Sequence, residues 1–479
     1  MKKIYSTYSF LQRLSPKQQK DFVAFLGNTY FNRQEKLVQL ANILLEDPES
    51  DMDKKSLFIR LFGEEKTYRE QLVYDAISQL GKLLNKFLAL QMFDTDHALQ
   101  HQCLLQALSN QQEEKMYQRA WKKAVKHWEA YPYRDLSYYK GQLSIHQNAT
   151  EFTAGLQERK QEEHLEASIK YLDIYYWSAR LKYSCELLNR QNILNQSVPA
   201  EVLAPLNSWI EHIPAIYLET PLLHAYLLIF HSLKEPENED RYERMIHWLH
   251  HHTDRISSKE VSDMYAYAQN CCIRRINQGA SGYLKRLFDL FEQLVAKQLV
   301  LDDGVMDHRK LKNMVTVGLR LKAFDWVDTL LHMHRTHLLP RYQEDAYRFN
   351  LASLKYAQGR HSEALTQLQQ VEFQDIYYHL SAKSLLLKLY FESDEDAALE
   401  FLLETFRLYL QRNQSIGAFQ RKVHLNLIRF TKKLYRLREQ KRILKAEVFR
   451  SRQQVLHDSI LTKKEIANRS WLIEQLGQL

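Results

Sequence analysis

The stretch "NLASLKYAQGRHSEALTQL", residues 350–368, decides how the chain is read. It predicts a helix, a turn centred on Gly359 and a second helix. The second helix enters at Ala364; Ala398 stands 34 residues later and Leu330 34 residues earlier. First-helix positions Gly318, Ala352 and Leu386 fall on the same interval. So do Leu351 with Leu385, Tyr356 with Tyr390, and Leu368 with Leu402. The turns between are "KAFDW", "AQGRH" and "FESDE". Small residues are needed where two helices cross closely, and larger apolar ones fill the holes around them. A period near 34 residues is expected of stacked helix–turn–helix units.

Working outward, the whole chain has the composition of a helical protein. Of 479 residues only 12 are Gly and 9 Pro, about a third of average usage. Leu, Gln, Lys, Arg and Glu are abundant, so the expected class is all-α. The 45% apolar content is that of an ordinary globular chain. Four cysteines, at 103, 185, 271 and 272, form no CxxC pair, and a reducing compartment fits them. The start "MKKIYSTYSF" has no apolar run of a signal peptide. The apolar run "PLLHAYLLIFHSL" (221–233) is too short for a bilayer and reads as a buried helix. A cytoplasmic protein with no membrane role is the expectation.

Helix starts are legible. Ser15, Pro16 and Gln18 spell a capping box, repeated at Thr67/Glu70, Ser257/Glu260 and Thr462/Glu465. "KKSLFIRLFG" followed by "TYREQLVYDAISQLGKLLNKFLAL" gives a short helix, a turn near Gly63 and a long one. The apolar face of the long helix is read at Leu72, Ala76, Gln79/Leu80, Leu83/Leu84, Phe87 and Leu88. The polar loop "KEPENED" (234–240) is the best boundary candidate. Four regions follow: 1–95, helical; 96–235, helical hairpins; 241–415, helical repeats; 416–479, basic helices closed by a capping helix.

Residues 350–368 resemble a tetratricopeptide repeat. Asn350, Leu351 and Ala352 match its first-helix signature, Gly359 its turn, and Glu363, Ala364 and Leu368 its second helix. Lys355 departs from the usual aromatic, with Tyr356 beside it, and Ile376 replaces the closing proline. The resemblance covers about 312–410 and implies an α-solenoid with a groove that binds proteins or peptides. Arg348, Asn350 and Lys355 are the groove candidates by position.

From Arg421 to Arg452 there are twelve Lys/Arg against two Glu, a net of +10; the whole chain carries +8, so the rest sums to −2. Val423, Leu427, Phe430, Leu434 and Leu437 form an apolar seam that Leu444, Val448 and Val455 continue. The interruption near 438–441 is either a break in one long seam or a turn between two helices. Lys432, Lys433, Arg436, Lys441, Arg442 and Lys445 make the basic patch. An acidic protein partner, nucleic acid with Tyr435 and Phe449 stacking on bases, or plain solvation all accommodate it. The segment 54–90 is helix–turn–helix-like and belongs to the same nucleic-acid alternative. Trp471 and Leu472 are expected to face inward in a terminal cap that Gly477 stops.

Chemistry has few footholds. His247, His250 and His251 share the spacing of a chelating helix face, but no HExxH accompanies them, and a surface cluster fits as well. His332, His334 and His337 stand in the same position. "QGASGY" (278–283) lacks the last glycine of GxSxG and reads as a turn. No phosphate loop or dinucleotide fingerprint occurs. The sequence therefore nominates no catalytic residue, no cofactor and no metal, and predicts a non-enzymatic scaffold.

Overall fold

The computed structural model describes residues 2–46, 54–155, 163–194, 199–369, 375–463 and 465–479. Among them, helix is almost the only regular structure. Two compact units are formed, Met1–Ala179 and Arg180–Leu479, and the division falls within one helix.

In the first unit the helices are α1 (Lys2–Arg13), α2 (Pro16–Gly27), α3 (Glu35–Glu46), α4 (Lys54–Phe62), α5 (Glu70–Thr95), α6 (His97–Asn110), α7 (Glu114–Ala130), α8 (Leu136–Gly155) and the start of α9 (Glu163–Leu194). The Ser15 capping box forms as expected: the Ser15 hydroxyl accepts from the Gln18 amide at 3.3 Å, and Gln18 returns the bond to the Ser15 amide at 3.1 Å. α5 buries Val73, Ile77, Leu80, Leu84 and Phe87 among α1–α4. The expected face was thus one residue off at its start, and Leu72 is exposed. Thr67 does not cap α5. That helix begins at Glu70, whose carboxylate is taken by Lys54 instead. A second core joins α6, α7 and α8 around Tyr117 and Phe152, whose rings stack at 3.8 Å.

The second unit continues with α10 (Ala200–Glu211), α11 (Ala215–Leu218), α12 (Pro221–Lys234), α13 (Glu239–His251), α14 (Ser258–Asn277) and α15 (Tyr283–Ala296). After a two-stranded ribbon come α16 (His308–Arg320), α17 (Phe324–His334), α18 (Pro340–Ala357), α19 (His361–Gln369), α20 (Ile376–Glu392), α21 (Asp396–Arg412), α22 (Ala418–Gln440), α23 (Ala446–Thr462) and α24 (Arg469–Gln478). These form successive antiparallel hairpins, α12/α13 through α22/α23. Each second helix from α17 onward packs on its own first helix, and α17, α19 and α21 also pack on the first helix of the next hairpin. The first helices α16, α18, α20 and α22 pack in succession. α12 is buried almost all round, as its run of apolar residues demands. The polar loop 234–240 is simply the turn of the α12/α13 hairpin.

The turns carry the regularity. Lys322, Gly359 and Asp394 each adopt a left-handed conformation, with φ of 59°, 77° and 54°. In each, the next amide reaches back five residues: Ala323 to Gly318, Arg360 to Lys355, Glu395 to Tyr390. That is the Schellman closure of a helix C-terminus. Gln112 and Gly279 close α6 and α14 the same way. Taking the left-handed residue as origin, the hairpins recur at 37 and then 35 residues, not at a strict 34. The aligned second-helix positions are therefore Val327, Ala364 and Leu399, each 0% exposed, whereas Ala398 is half-buried. Gly318 does mark a close crossing: a Cβ there would lie 2.6 Å from Val327 Cγ2 and 3.3 Å from the Trp326 ring.

The end of the chain differs from expectation in register. The seam Val423–Leu437 is buried on α22, but the chain turns at 441–445. On α23 the buried residues are Phe449, Leu456 and Ile460, so Val448 and Val455 face solvent. Thr462 ends α23, bonding back to the Asp458 carbonyl at 2.8 Å, and Glu465 pairs with Lys422 at 2.7 Å. No capping box forms there; α24 starts at Arg469 after Asn468, runs past Gly477, and buries Trp471, Leu472 and Leu476. Ser257 does precede α14, but Glu260 is drawn away to Lys182 and Tyr226.

Candidate functional site

The first helices of the last four hairpins gather polar groups on shared ground. Asp375 caps α20, accepting from the Tyr377 and Tyr378 amides at 2.8 and 3.1 Å. The same carboxylate pairs with Arg309 at 3.2 Å and His308 at 3.4 Å. Burial works against its charge, but the Tyr378 amide, Arg309 and His308 hold its pKa below the ordinary value. Tyr378 Oη donates to the His308 carbonyl at 2.6 Å and accepts from Asn350 Nδ2 at 3.3 Å. One tyrosine thus ties α16, α18 and α20 together.

Beside it lies Lys312. Its ammonium sits 5.3 Å from the Phe349 ring centre and 5.1 Å from that of Tyr378, and touches Ser381 Oγ. No carboxylate among the described residues reaches it at ion-pair distance, and burial pushes its pKa down to about 8. His424 of α22 follows, with Nδ1 3.3 Å from Ser384 Oγ. Burial first, and then Lys312, push its pKa down to about 4, so this ring is neutral. One turn beyond Ser384 on α20, Lys388 lies 5.5 Å from the Tyr356 ring and has its pKa likewise lowered by burial. Next to it Glu392 accepts from Tyr356 Oη at 2.6 Å and Trp471 Nε1 at 2.5 Å. Of these two desolvated ammonium groups Lys388 already has Glu392 and Glu474 acting on it, so Lys312 is the one suited to hold a carboxylate brought by another molecule.

The expected groove residues do not converge there. Asn350 is fully buried, its Nδ2 also bonded to the Ala346 carbonyl at 2.8 Å, and offers a partner nothing. Position 350 lies two residues, about 200°, round the helix from Arg348, which explains the difference. Arg348 is half-buried and pairs with Glu344 at 2.6 Å. Lys355 is half-exposed on the stripe of Arg348. Lys312, Lys388 and His424 were missed because their surroundings arrive from helices 32 to 112 residues away in the chain; nothing local marks them.

A cavity of about 720 Å³ lies beside the ribbon of Leu301–Asp302 and Val305–Met306. Asp303 and Gly304, with φ of 48° and 80°, make its two-residue turn. The dipeptide Asp-Gly between apolar residues is a hairpin signal that was legible and overlooked. Lys310 here donates to the Leu299 carbonyl at 3.2 Å with its pKa lowered by burial, and Asp263 is raised by burial. The walls alternate acids with Lys259, Arg309 and Arg341, so neither charge sign prevails.

The chain matches no protein-family model, no curated protein and no solved structure.

The basic patch divides into bound and free charges. Lys432 meets Glu404 at 3.6 Å, and Arg438 meets Asp394 and Asp396, both at 2.5 Å. Lys433 lies 5.4 Å from the Phe430 ring, in the exposed stripe with Arg429 and Arg436. Lys441, Arg442 and Lys445 are exposed in the α22–α23 turn. Tyr435 and Phe449 are 9% and 8% exposed, packed in the core, and unable to stack on bases. In the helix–turn–helix-like pair, Lys54 and Arg60 are occupied by Glu70 and Glu46.

The histidine runs disperse. His247 and His251 are exposed, 4.7 Å apart between ring centres, while His250 turns toward Tyr265. His332 is exposed, and His334 is buried with neither ring nitrogen bonded. Among the described residues no three His, Cys, Asp or Glu gather as a metal set, and no helix is long and apolar enough to cross a membrane. The segment 278–283 is the turn from α14 to α15.

Proposed function

We propose that the chain is a non-enzymatic scaffold that binds other proteins or peptides, built as a tetratricopeptide-like α-solenoid in its C-terminal half. Lys312 carries the reading: an ammonium removed from water, facing a hydroxyl and two rings, with no described carboxylate at ion-pair distance and Asp375 acting on it only from further off. Burying such a charge costs several kcal/mol in isolation, and an acidic group of a partner would offset that. The repeated left-handed turns and the succession of first helices support the solenoid form. Crosslinking and capture from the native source, with the full-length chain as bait, tests the proposal. Specific partners should be lost on Lys312→Met with Lys388→Met; partners that survive both changes undamped would remove the first-helix face from consideration. Contact with nucleic acid through α22 and α23 is the second reading, favoured by the unpaired cations of that hairpin.

A further inference from the structure

The last hairpin carries a surface that the first-helix face does not include. On α22, Arg429, Lys433 and Arg436 follow one another at four and three residues and form one exposed stripe. None has a carboxylate partner among the described residues, whereas Lys422, Lys432 and Arg438 on the same helix are all paired. Gln440 extends the stripe and accepts from Arg452 of α23 at 2.6 Å. That bond sets the cationic stripe of α22 beside the α23 stripe Val448, Arg452, Val455. The second stripe sets an exposed apolar side chain on either side of Arg452: Val448 is 43% exposed and Val455 64%. The turn closes the top with Ile443, 82% exposed, between Arg442 and Lys445.

We propose that this two-helix surface docks an acidic amphipathic helix of a partner protein, its carboxylates on the α22 stripe and its apolar side chains on Val448, Val455 and Ile443. Charge complementarity selects a polyanion. The exposed aliphatic side chains select among polyanions. A phosphate backbone has no use for three valine and isoleucine side chains in water, and Tyr435 and Phe449, the rings nearest these stripes in sequence, are buried. An acidic amphipathic helix uses both rails at once.

The experiment uses the full chain and a fluorescent helical peptide of about five turns, glutamates on one face and leucines on the other. A shuffled peptide of the same composition and a random DNA duplex serve as competitors. The ordered peptide should bind, weaken with salt, and lose about tenfold in affinity on Arg429→Gln/Lys433→Gln/Arg436→Gln. Val455→Ser with Ile443→Ser should weaken it by a similar factor, about tenfold. All five side chains are exposed, so unchanged thermal unfolding separates lost binding from lost structure. Equal binding of ordered and shuffled peptides would reduce the surface to a nonspecific polyelectrolyte and overturn the proposal. Displacement of the peptide by duplex DNA, insensitive to the serine changes, would assign the surface to nucleic acid instead. Absence of binding at low salt would leave it merely solvated. Since Lys312 and Lys388 take no part, their variants should bind this peptide normally.

Discussion

Lys322 and Gly318 stand four residues apart and pull stability in opposite directions. Lys322 holds a left-handed backbone without the freedom of glycine, at a cost of about 1 kcal/mol. Lys322→Gly is expected to stabilise the protein by a few tenths to about 1 kcal/mol, the gain being reduced by glycine's larger unfolded-state entropy. Gly318→Ala should do the reverse. Alanine favours a helix by about 1 kcal/mol, but its Cβ would overlap Val327, which is 0% exposed. The overpacking cost of about 1–3 kcal/mol outweighs the propensity. Urea unfolding of the two variants measures both signs. A stabilised Gly318→Ala would mean that α17 moves aside freely.

Among the elements, α9, α12 and α14 are joined by one carboxylate. Glu260 takes the Lys182 ammonium at 2.6 Å and the Tyr226 hydroxyl, with only 11% of its side chain exposed. Removing the cation strands a buried charge, so Lys182→Met should destabilise by about 3 kcal/mol. Adding Glu260→Gln should recover much of the loss, because a neutral amide still accepts from Tyr226. A double-mutant cycle in denaturant reads this coupling directly; additive effects would show that the pair is immaterial. The same residue explains how far the sequence could be read. Its spacing to Ser257 predicted a cap, and the helix does start there, but the carboxylate went to a partner 78 residues away. Helix existence was legible from period and punctuation at α5, α12, α18 and α19. Register was not, since the hairpin interval varies with helix length and two of the three left-handed turn residues are Lys and Asp. Asn350 was misread for a related reason: sequence gives a helix its faces, but only the neighbouring helices decide which face meets water.

At the scale of the molecule, histidines set the response to acid. Burial lowers the pKa of His101, His224, His231, His250 and His334, and brings His146 and His424 to about 4. Their folded state favours the neutral ring, while the unfolded chain takes up protons near pH 6.5. Stability is then fully present above about pH 7 and falls as pH drops through 6.5 toward 4. His424, well buried, contributes at most about 3 kcal/mol of that loss. Denaturation midpoints should decline between pH 7 and 4.5, above the range in which Asp375 protonates, and His424→Gln should flatten the slope. A midpoint constant over that interval would refute the assignment of neutral rings.

From Tyr378 to Glu392 not one residue of α20 is exposed. Part of its cover, α18 and α19, is synthesised before it and part after: Trp471, which bonds Glu392, lies 79 residues further along the chain. At ribosomal rates of roughly 5–20 residues per second, that separation lasts roughly 4–16 s. For that interval the segment "LSAKSLLLKLYF" has α18, α19 and then α21 to pack on, but its Glu392 end lacks Trp471. The helix therefore closes in two stages, its last contact arriving well after its hairpin partner α21 has been made.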